Sequence, residues 1–448
     1  MGTDIRLLRK IKKEDNNMLH QNLGINEKGH LTFCGYDTVE LAKEYGTPAY
    51  FMDEDLIREN CKIYKNALER NFGKGSIPLY ASKAFSCKKI YEIAKEEGIG
   101  CDVVSGGELY TAYKAGFDMG KVFFHGNNKT EKDIEFALDC KLGYFVVDNT
   151  EELSEVNRQA AERNIRQNIL LRITPGIDPH THKAVVTGNV DSKFGSAVET
   201  GQAMAIVKQA LALPNIKLCG LHCHIGSQIF ECEPFTDAAE IMIRFIKDIK
   251  DETGYETEIL NLGGGMGVRY IEEDPVIDYG KNIDNIAEKI KTYASANGIK
   301  LPTVFMEPGR SLVAAAGLTL YTVGSVKEIP GFKKYVSVDG GMPDNPRYAL
   351  YQSIYTCLIA NKCNNKADYT CTVAGRCCES GDLIAENTKL QKPEKGDILA
   401  VLCTGAYNYS MASNYNRIPR PPVVMLSKNK KYVAVARESY EDLIRNDL

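Results

Sequence analysis

Eight short apolar segments, each ending in polar or glycine-rich residues, recur along the sequence and constrain the fold more than any other feature. Such a segment predicts a buried β-strand followed by a loop. The eight segments with their polar ends lie at 78–83, 102–107, 122–127, 144–149, 170–174, 221–227, 259–265 and 304–310. Apolar residues three or four positions apart predict helices between them, for example at 88–97, 133–138, 151–163, 201–213 and 235–253.

The alternation of eight strands with helices predicts an α/β fold, the (β/α)8 barrel. In such a barrel the loops that follow the strands meet on one face, where the reactive groups lie. We therefore expect the polar ends of the eight segments to form one surface. A barrel of about 250 residues leaves room for a second domain in a chain of 448 residues.

The pattern changes after the barrel, where strands follow one another without regular helices. Apolar, β-branched and aromatic residues predict strands at 335–338, 369–373, 398–402 and 432–435. The sequence thus predicts a barrel domain at 48–316, followed by a mostly antiparallel β domain at 317–448. We expect a strand from about 24–47 to complete the β domain.

Composition excludes several classes of partner. The net charge of −4, from 55 basic and 59 acidic residues, indicates neither a nucleic acid nor an anionic membrane as partner. The first residues lack the apolar run of a targeting signal, and the most apolar stretch, 312–323, is shorter than the about 20 residues of a membrane span. The 14 cysteines are scattered through the chain, which indicates reduced thiols in a cytoplasmic protein that acts on a small molecule.

Lys83 directly follows the first of the eight predicted strands. A lysine at this position holds its amine at the mouth of the barrel, where it can form a Schiff base with a carbonyl cofactor. The ordinary alternative is a surface lysine with no chemical role. The other strand ends favour the first interpretation.

Gly263, Gly264 and Gly265 follow the seventh predicted strand, and Gly309 and Arg310 follow the eighth. Glycines there allow backbone N–H groups to approach an anion, although a glycine cluster alone also fits a tight turn. The dinucleotide fingerprint is not met, because it needs a further glycine at 268, where valine stands. Barrels commonly hold a phosphate at these two loops, so the sequence predicts a phosphate site.

The run from Cys219 to His224 contains four cysteine and histidine residues, which are the usual zinc ligands. Side chains on a strand alternate between faces, so the four do not converge without a bend, and we expect no metal. His224 can instead present its ring as a flat surface to an aromatic cofactor. Ser227 just beyond it can donate to a phosphate.

Glu307 and Arg310 lie three residues apart and either pair locally or act on a ligand. A carboxylate beside a pyridine nitrogen keeps that nitrogen protonated, and a guanidinium pairs with carboxylate or phosphate. In the predicted β domain, Cys378 lies in a turn of glycines and charged residues. Its flanks favour an exposed thiol over a buried structural one, and an exposed thiol beside acids can donate a proton.

In this order the motifs resemble those of the diaminopimelate decarboxylases, pyridoxal-phosphate enzymes of the alanine-racemase-like barrel group. The resemblance runs from about Gly24 to the end of the chain. The matching motifs are Tyr80-Ala81-Ser82-Lys83-Ala84, His224-Ile225-Gly226-Ser227-Gln228, Gly263-Gly264-Gly265, Glu307-Pro308-Gly309-Arg310, Cys378-Glu379-Ser380-Gly381-Asp382 and Gly405-Ala406-Tyr407.

The resemblance implies a role for each matching residue. Lys83 would form the Schiff base with pyridoxal 5'-phosphate, His224 would stack on its ring, and Glu307 would contact its nitrogen. The phosphate would be surrounded by Ser227, Gly263, Gly264, Gly265, Gly309 and Arg310. The substrate would be held by Arg310, Arg347, Tyr351, Glu379 and Tyr407, of which Tyr407 would also touch the cofactor.

By the same resemblance, Cys378 would protonate the carbon that loses CO2, and meso-2,6-diaminopimelate would become L-lysine in the last step of lysine biosynthesis. The family works as a homodimer in which the Cys-Glu-Ser loop of one chain enters the site of its partner. The resemblance therefore implies shared active sites.

Other functions remain open at this point. Decarboxylases of ornithine, arginine or carboxynorspermidine share the scaffold, but the ornithine and arginine types generally follow the cysteine with aspartate, where this chain has Glu379. A racemase needs a base on each face of the carbon and leaves Cys378 unexplained. A non-catalytic regulatory homologue would be expected to lack Lys83 or Cys378, and both are present.

Overall fold

The computed structural model describes residues 18–177 and 192–448. These residues form two compact units. The β unit contains the described residues up to Leu56, together with Arg269–Asp274 and Ala314–Leu448, and the barrel unit contains Ile57–Val268 and Pro275–Val313. The barrel unit therefore begins later in the chain than residue 48, the limit that the sequence indicates.

Eight parallel strands form the sheet of the barrel unit, which confirms the predicted (β/α)8 barrel. The first and last strands are joined by hydrogen bonds from Leu79 N–H to the carbonyl oxygen of Met306 at 2.7 Å and from Ala81 N–H to that of Pro308 at 3.2 Å. The sheet is thus closed. Its strands, in chain order, are Leu79–Ala81, Gly100–Val103, Val122–Phe124, Tyr144–Val147, Gln167–Thr174, Ile216–His222, Ile259–Asn261 and Thr303–Phe305, and the short strand Ser196–Ala197 pairs beside Gln167–Thr174.

Buried apolar side chains from seven of these strands fill the inside of the barrel unit. This cluster consists of Leu79, Phe123, Val146, Leu170, Cys219, Ile259 and Phe305. Leu79 needs Gly100 on the neighbouring strand, because a Cβ atom there would overlap the leucine side chain. The filled interior leaves the strand ends as the place for polar chemistry.

Helices of the barrel unit begin directly after the strands, because a capping residue stands at the junction. Ser105, Thr130 and Asn149 each accept a hydrogen bond from a backbone N–H of the first helical turn. Every helix that the sequence predicts is present. The helices of this unit are Glu54–Phe72, which starts in the β unit, Lys88–Glu96, Gly106–Lys114, Glu131–Asp139, Thr150–Glu162, Gln202–Ala212, Glu233–Thr253, Tyr279–Ala296 and Arg310–Val313.

The main sheet of the β unit is mixed but mostly antiparallel, as predicted. Its long strand Gly317–Ile329 pairs antiparallel with three neighbours, whereas Lys333–Val338 and Ala49–Asp53 each have one parallel neighbour. Its strands are Ala49–Asp53, Gly317–Ile329, Lys333–Val338, Cys357–Ile359, Tyr369–Ala374, Leu383–Leu390, Ile398–Leu402, Val423–Leu426 and Lys431–Val435. The short helices of this unit are Thr38–Tyr45, Arg347–Tyr351 and Tyr440–Ile444.

Residues 24–47 differ from the expectation of one strand that completes the β domain. They form a separate three-stranded sheet of Leu23–Ile25, Leu31–Phe33 and Tyr36–Asp37, followed by a helix. The segment folds back on itself because Cys34 and Gly35 adopt the positive φ values of a tight turn. The strand that the main sheet uses is Ala49–Asp53, which lies within the range 48–316 assigned to the barrel. The apolar faces of both sheets still share one core.

The remaining expectations from composition concern cysteines and membranes. All 14 cysteines lie in the described residues, and none of them forms a disulfide bond. No helix of the described residues is long and apolar enough to cross a bilayer. The apolar stretch 312–323 contributes instead to the helix Arg310–Val313 and to the buried half of the strand Gly317–Ile329.

Candidate active site

The carboxyl ends of the barrel strands bring together the reactive residues of the barrel unit. Lys83 lies in the single 3-10 turn Ser82–Ala84 that follows the first strand, and its side chain is exposed. Its ammonium group acts electrostatically on Asp102, Glu108 and His224. The amine, at the end of the first strand, therefore lies near side chains at or just after the ends of the second and sixth strands.

Glu307 has its carboxylate among three nitrogen groups inside the barrel. The carboxylate accepts hydrogen bonds from His222 Nε2 at 3.1 Å and Asn261 Nδ2 at 2.6 Å, and Nε2 of His125 lies 2.8 Å from Oε1. Burial disfavours its charge, but the two imidazoles outweigh that effect and hold the pKa of Glu307 well below its usual range. The result is a buried anion where the sequence predicts a partner for a pyridine nitrogen.

Around this anion, burial shifts the protonation of its neighbours. Burial lowers the pKa of His222 to about 4, so its ring is neutral and donates through Nε2. Burial also raises the pKa of Asp102 to about 6, although the electrostatic interaction with His125 acts to lower it. Perturbed carboxyl and imidazole groups in one place are typical of a functional site.

His224 is held with its ring neutral. The backbone N–H of Gly264 donates to Nδ1 at 3.3 Å, which leaves the proton of the neutral ring on Nε2. Burial, followed by the charges of Lys83 and Arg172, lowers the pKa of His224 well below its usual value. A neutral, fixed imidazole provides the flat surface that stacking on an aromatic cofactor needs.

The glycine loop packs directly against the neighbouring strand ends. Gly263 and Gly265 have φ values of +65° and +119°, which favour glycine. A Cβ atom at Gly264 would overlap the carbonyl group of Glu307, and one at Gly265 would overlap that of Gly226. The backbone therefore has the open, side-chain-free surface that an anion can approach.

Arg310 and Ser227 meet beside this loop. Nη2 and Nε of Arg310 lie 3.0 and 3.3 Å from Oγ of Ser227. Arg310 is buried and begins a short helix directly after Gly309. A guanidinium, a hydroxyl and a glycine loop match the donors that phosphate requires, so the residues present fit pyridoxal phosphate.

Sequence reasoning missed several polar residues of this site. Asp102, His125 and Asn261 all lie at strand ends that the sequence identified, so their position carried a signal that was not used. His222 appeared there only as a potential zinc ligand. Cys219 lies in the apolar cluster inside the barrel unit, whereas His222 contacts Glu307, so the cysteine and histidine run does not converge. Potential ligand atoms converge instead at His125, His222 and Glu307.

Three predicted substrate-binding residues meet in the β unit. The guanidinium carbon of Arg347 lies 5.0 Å from the ring centre of Tyr351 and 5.3 Å from that of Tyr407. Arg347 is buried, and its Nε atom has no hydrogen-bond partner among the described residues. Within 18–177 and 192–448, its one hydrogen bond to a side chain is a long contact of 3.4 Å with Ser353 Oγ. A buried cation with an open donor indicates an anion site.

Cys378 and Glu379 lie together in an exposed turn of the same unit. The backbone N–H of Cys378 donates to Oδ1 of Asn416 at 2.7 Å, so the main chain of the turn is fixed. Oε1 of Glu379 accepts from Gly381 N–H at 3.3 Å. The exposed thiol beside a carboxylate agrees with the environment that the sequence indicates.

Comparison with known proteins identifies the class. Residues 54–314 match the family described as pyridoxal-dependent decarboxylase, pyridoxal binding domain. The diaminopimelate decarboxylase of Bacillus methanolicus is 49% identical over 419 residues, which cover 94% of this chain and 97% of that protein. That of Bacillus subtilis is 46% identical over 430 residues, which cover 96% and 98%.

The fold is also similar to that of a solved diaminopimelate decarboxylase. The crystal structure of diaminopimelate decarboxylase from M. jannaschii in complex with L-lysine matches with a TM-score of 0.90 at 37% identity, covering 96% of this chain and 98% of that chain. The fold and the pyridoxal-binding match place the protein among the pyridoxal-phosphate-dependent decarboxylases of the barrel type. Within this class, the chain belongs to the diaminopimelate decarboxylase family, which confirms the resemblance drawn from the motifs.

Proposed function

We propose that the protein converts meso-2,6-diaminopimelate to L-lysine and CO2 with pyridoxal phosphate, as the last step of lysine biosynthesis. The observation that carries this proposal is Arg347, a buried guanidinium beside two tyrosine rings with an open Nε donor. Such a group suits a substrate with a second carboxylate. The relative from M. jannaschii, which was solved with L-lysine, supports an amino-acid ligand.

The barrel residues would hold the cofactor. Lys83 would supply the amine for its carbonyl carbon, Glu307 would keep its ring nitrogen protonated, and His224 would offer its ring for stacking. The glycine loop, Gly309, Ser227 and Arg310 would bind its phosphate group. When bound, pyridoxal phosphate provides a conjugated sink for the two electrons left on the carbon that loses CO2.

The β-unit residues would act on the substrate. Arg347 and Arg310 would pair with carboxylates, Tyr351 would donate a hydrogen bond to one of them, and Glu379 would accept a hydrogen bond from the amino group. The thiol of Cys378 donates its proton to the carbon that has lost CO2. Tyr407, whose ring lies beside Arg347, would contact the substrate and, as the family resemblance implies, the cofactor.

Incubation with meso-diaminopimelate and pyridoxal phosphate tests the proposed reaction. We expect L-lysine and CO2 to form in equal amounts, because one carboxyl group is lost for each substrate. Release of putrescine from ornithine or agmatine from arginine, without lysine from diaminopimelate, would support the related decarboxylases instead. If none of these amino acids is decarboxylated, the result would favour the non-catalytic regulatory homologue.

We further propose that the protein is a cytoplasmic homodimer with shared active sites. Two features support the sharing: Lys83 belongs to the barrel unit and Cys378 to the β unit, and the side chains of Cys378 and Glu379 are exposed. An exposed turn that carries a proton donor can serve the site of a second chain. Reduced cysteines without disulfide bonds agree with the proposed location.

Mixing two inactive variants, Lys83→Ala and Cys378→Ala, should restore activity. In a mixed dimer with shared sites, one site receives both native groups and the other receives neither. Each mixed dimer then has about half the native activity, and random exchange of equal amounts gives roughly a quarter overall. The measurement is lysine formation after subunit exchange, with each variant alone as the control. Exchange without recovery of activity would show that Cys378 serves its own chain or no site.

A further inference from the structure

One buried carboxylate, that of Asp382, joins the turn around Cys378 to the segment that precedes Arg347. Oδ1 of Asp382 accepts a hydrogen bond from the backbone N–H of Met342 at 2.6 Å, and Oδ2 accepts one from the N–H of Cys377 at 2.7 Å. Asp382 is only 2% exposed. Since both oxygens belong to one planar group, the two backbone segments are held at a fixed separation.

Two glycines allow the backbone to lie directly against this carboxylate. A Cβ atom at Gly341 or at Gly375 would overlap the carboxylate oxygens of Asp382. The N–H of Gly375 also donates to the carbonyl oxygen of Asp382 at 2.9 Å. The carboxylate is therefore surrounded by main chain from both segments, and a side chain at either glycine position would push the segments apart.

A second carboxylate fixes the same segment from another direction. Oδ2 of Asp344 accepts from Gly341 N–H at 3.1 Å, and Oδ1 accepts from the hydroxyl of Tyr321 at 2.5 Å. Asp344 is also buried. With Gly341 held in this way, the N–H of Met342 is directed at Asp382, and the chain then enters the short helix that begins at Arg347.

A third segment is tied to both of the others. The N–H of Ser413 donates to the carbonyl oxygen of Pro343 at 2.8 Å, and Oδ1 of Asn416 accepts from Cys378 N–H at 2.7 Å. The contacts of Asp382 therefore belong to a connected network rather than to an isolated turn. Each connection ends on backbone close to a residue with a proposed role in the reaction.

We propose that Asp382 is a positioning residue, which holds the turn of Cys378 and Glu379 and the segment of Arg347 in place together. This inference rests on the proposed function, in which the turn serves the site of the partner chain and Arg347 binds substrate, so that loosening either segment impairs turnover. Hydrogen bonds to an ionised carboxylate are stronger than those between neutral groups. A misplacement of about 1 Å in an active site costs on the order of 100-fold in rate.

The substitution Asp382→Asn tests the proposal with little change in volume. An amide can accept only through its oxygen, so its NH2 group would face one of the two backbone N–H donors, and that hydrogen bond is lost. We expect kcat/KM for meso-diaminopimelate to fall about 100-fold, with both a lower kcat and a higher KM. The absorbance band of bound pyridoxal phosphate should match that of the wild type, because the barrel residues are untouched.

Asp397→Asn provides the matched control. Asp397 is another buried aspartate of the β unit, but its carboxylate binds the N–H of Glu394 and the ammonium of Lys362, away from both segments. This variant loses comparable interactions and should keep the wild-type kcat and KM. A similar loss of activity in both variants would indicate general destabilisation and overturn the proposal.

Hydrogen exchange measured by mass spectrometry gives a readout that is independent of turnover. In Asp382→Asn, deuterium uptake should rise together in 341–347 and 375–382, and Asp397→Asn should leave both segments as in the wild type. Wild-type kcat/KM in Asp382→Asn, or unchanged uptake in either segment, would refute the proposal. Absence of CO2 release by the wild-type protein would instead refute the proposed function, and the exchange data would still decide whether Asp382 holds the two segments together.

Discussion

Lys83→Ala should leave a folded protein whose turnover is reduced by several orders of magnitude. The side chain is exposed at the end of the first barrel strand, so its loss removes no core packing. It does remove the amine that lies among Asp102, Glu108 and His224, which is the amine available to a carbonyl cofactor. The measurements are kcat with meso-diaminopimelate and the absorbance near the visible edge, which borohydride removes from the wild type and which this variant should lack.

Lys88→Ala is the control for this substitution. Lys88 is also exposed and begins the helix that follows the same strand end, so it tests the loss of a nearby positive charge alone. It should keep both the absorbance band and the turnover of the wild type. Normal turnover in Lys83→Ala would contradict the proposed chemistry of the site, whatever the behaviour of the control.

The barrel was predictable from the sequence because its signals are local. A parallel strand that is buried on both faces reads as a continuous apolar run, and capping residues such as Ser105 and Asn149 mark where the next helix begins. The apolar runs repeat eight times. The position of Lys83, His224 and the glycine loop followed from the same repetition, since the fold brings strand ends together.

The β unit was harder to predict because some of its strands carry a weak local signal and others pair with distant partners. Leu383–Leu390 contains Glu386, Asn387 and Lys389 on a partly exposed surface and carries no strong strand signal, yet it pairs with Tyr369–Ala374. Ala49–Asp53 is apolar and precedes a helix, which resembles a barrel strand, but it pairs with Gly317–Ile329. Pairing across more than 200 residues is set by tertiary packing and not by local pattern.

The polar interior of the site could not be predicted for a related reason. Glu307 was identified from its own motif, but its three neighbours come from strand ends as far apart in sequence as His125 and Asn261. Similarly, the motif that contains Cys378 gives no sign that Asp382 binds the backbone of Met342. Sequence patterns place residues such as Glu307 on the correct face of the barrel, whereas their hydrogen-bond partners can be identified only from the three-dimensional structure.

Arg347 leads to the second prediction with a large effect, a strong preference for meso-diaminopimelate over ornithine and lysine. When a substrate lacks the second carboxylate, the partners that the described part of the chain leaves to this buried guanidinium are the long contact with Ser353 and the faces of two tyrosine rings. A site built to bind a polar group rejects analogues that lack it by about four orders of magnitude, because its own buried donors are left unsatisfied. We expect a ratio of kcat/KM values of this order.

Arg347→Gln should reduce that preference through its effect on meso-diaminopimelate, the favoured substrate. Removing the guanidinium lowers kcat/KM for meso-diaminopimelate, whereas ornithine and lysine, which have no second carboxylate to lose, should change little. Arg445→Gln removes the same charge from an exposed position in the β unit and should leave the ratio as in the wild type. The three ratios come from CO2 release over a range of substrate concentrations. Comparable kcat/KM for ornithine and meso-diaminopimelate in the wild type would favour the ornithine decarboxylases, because a diamino acid with one carboxylate would then satisfy the site.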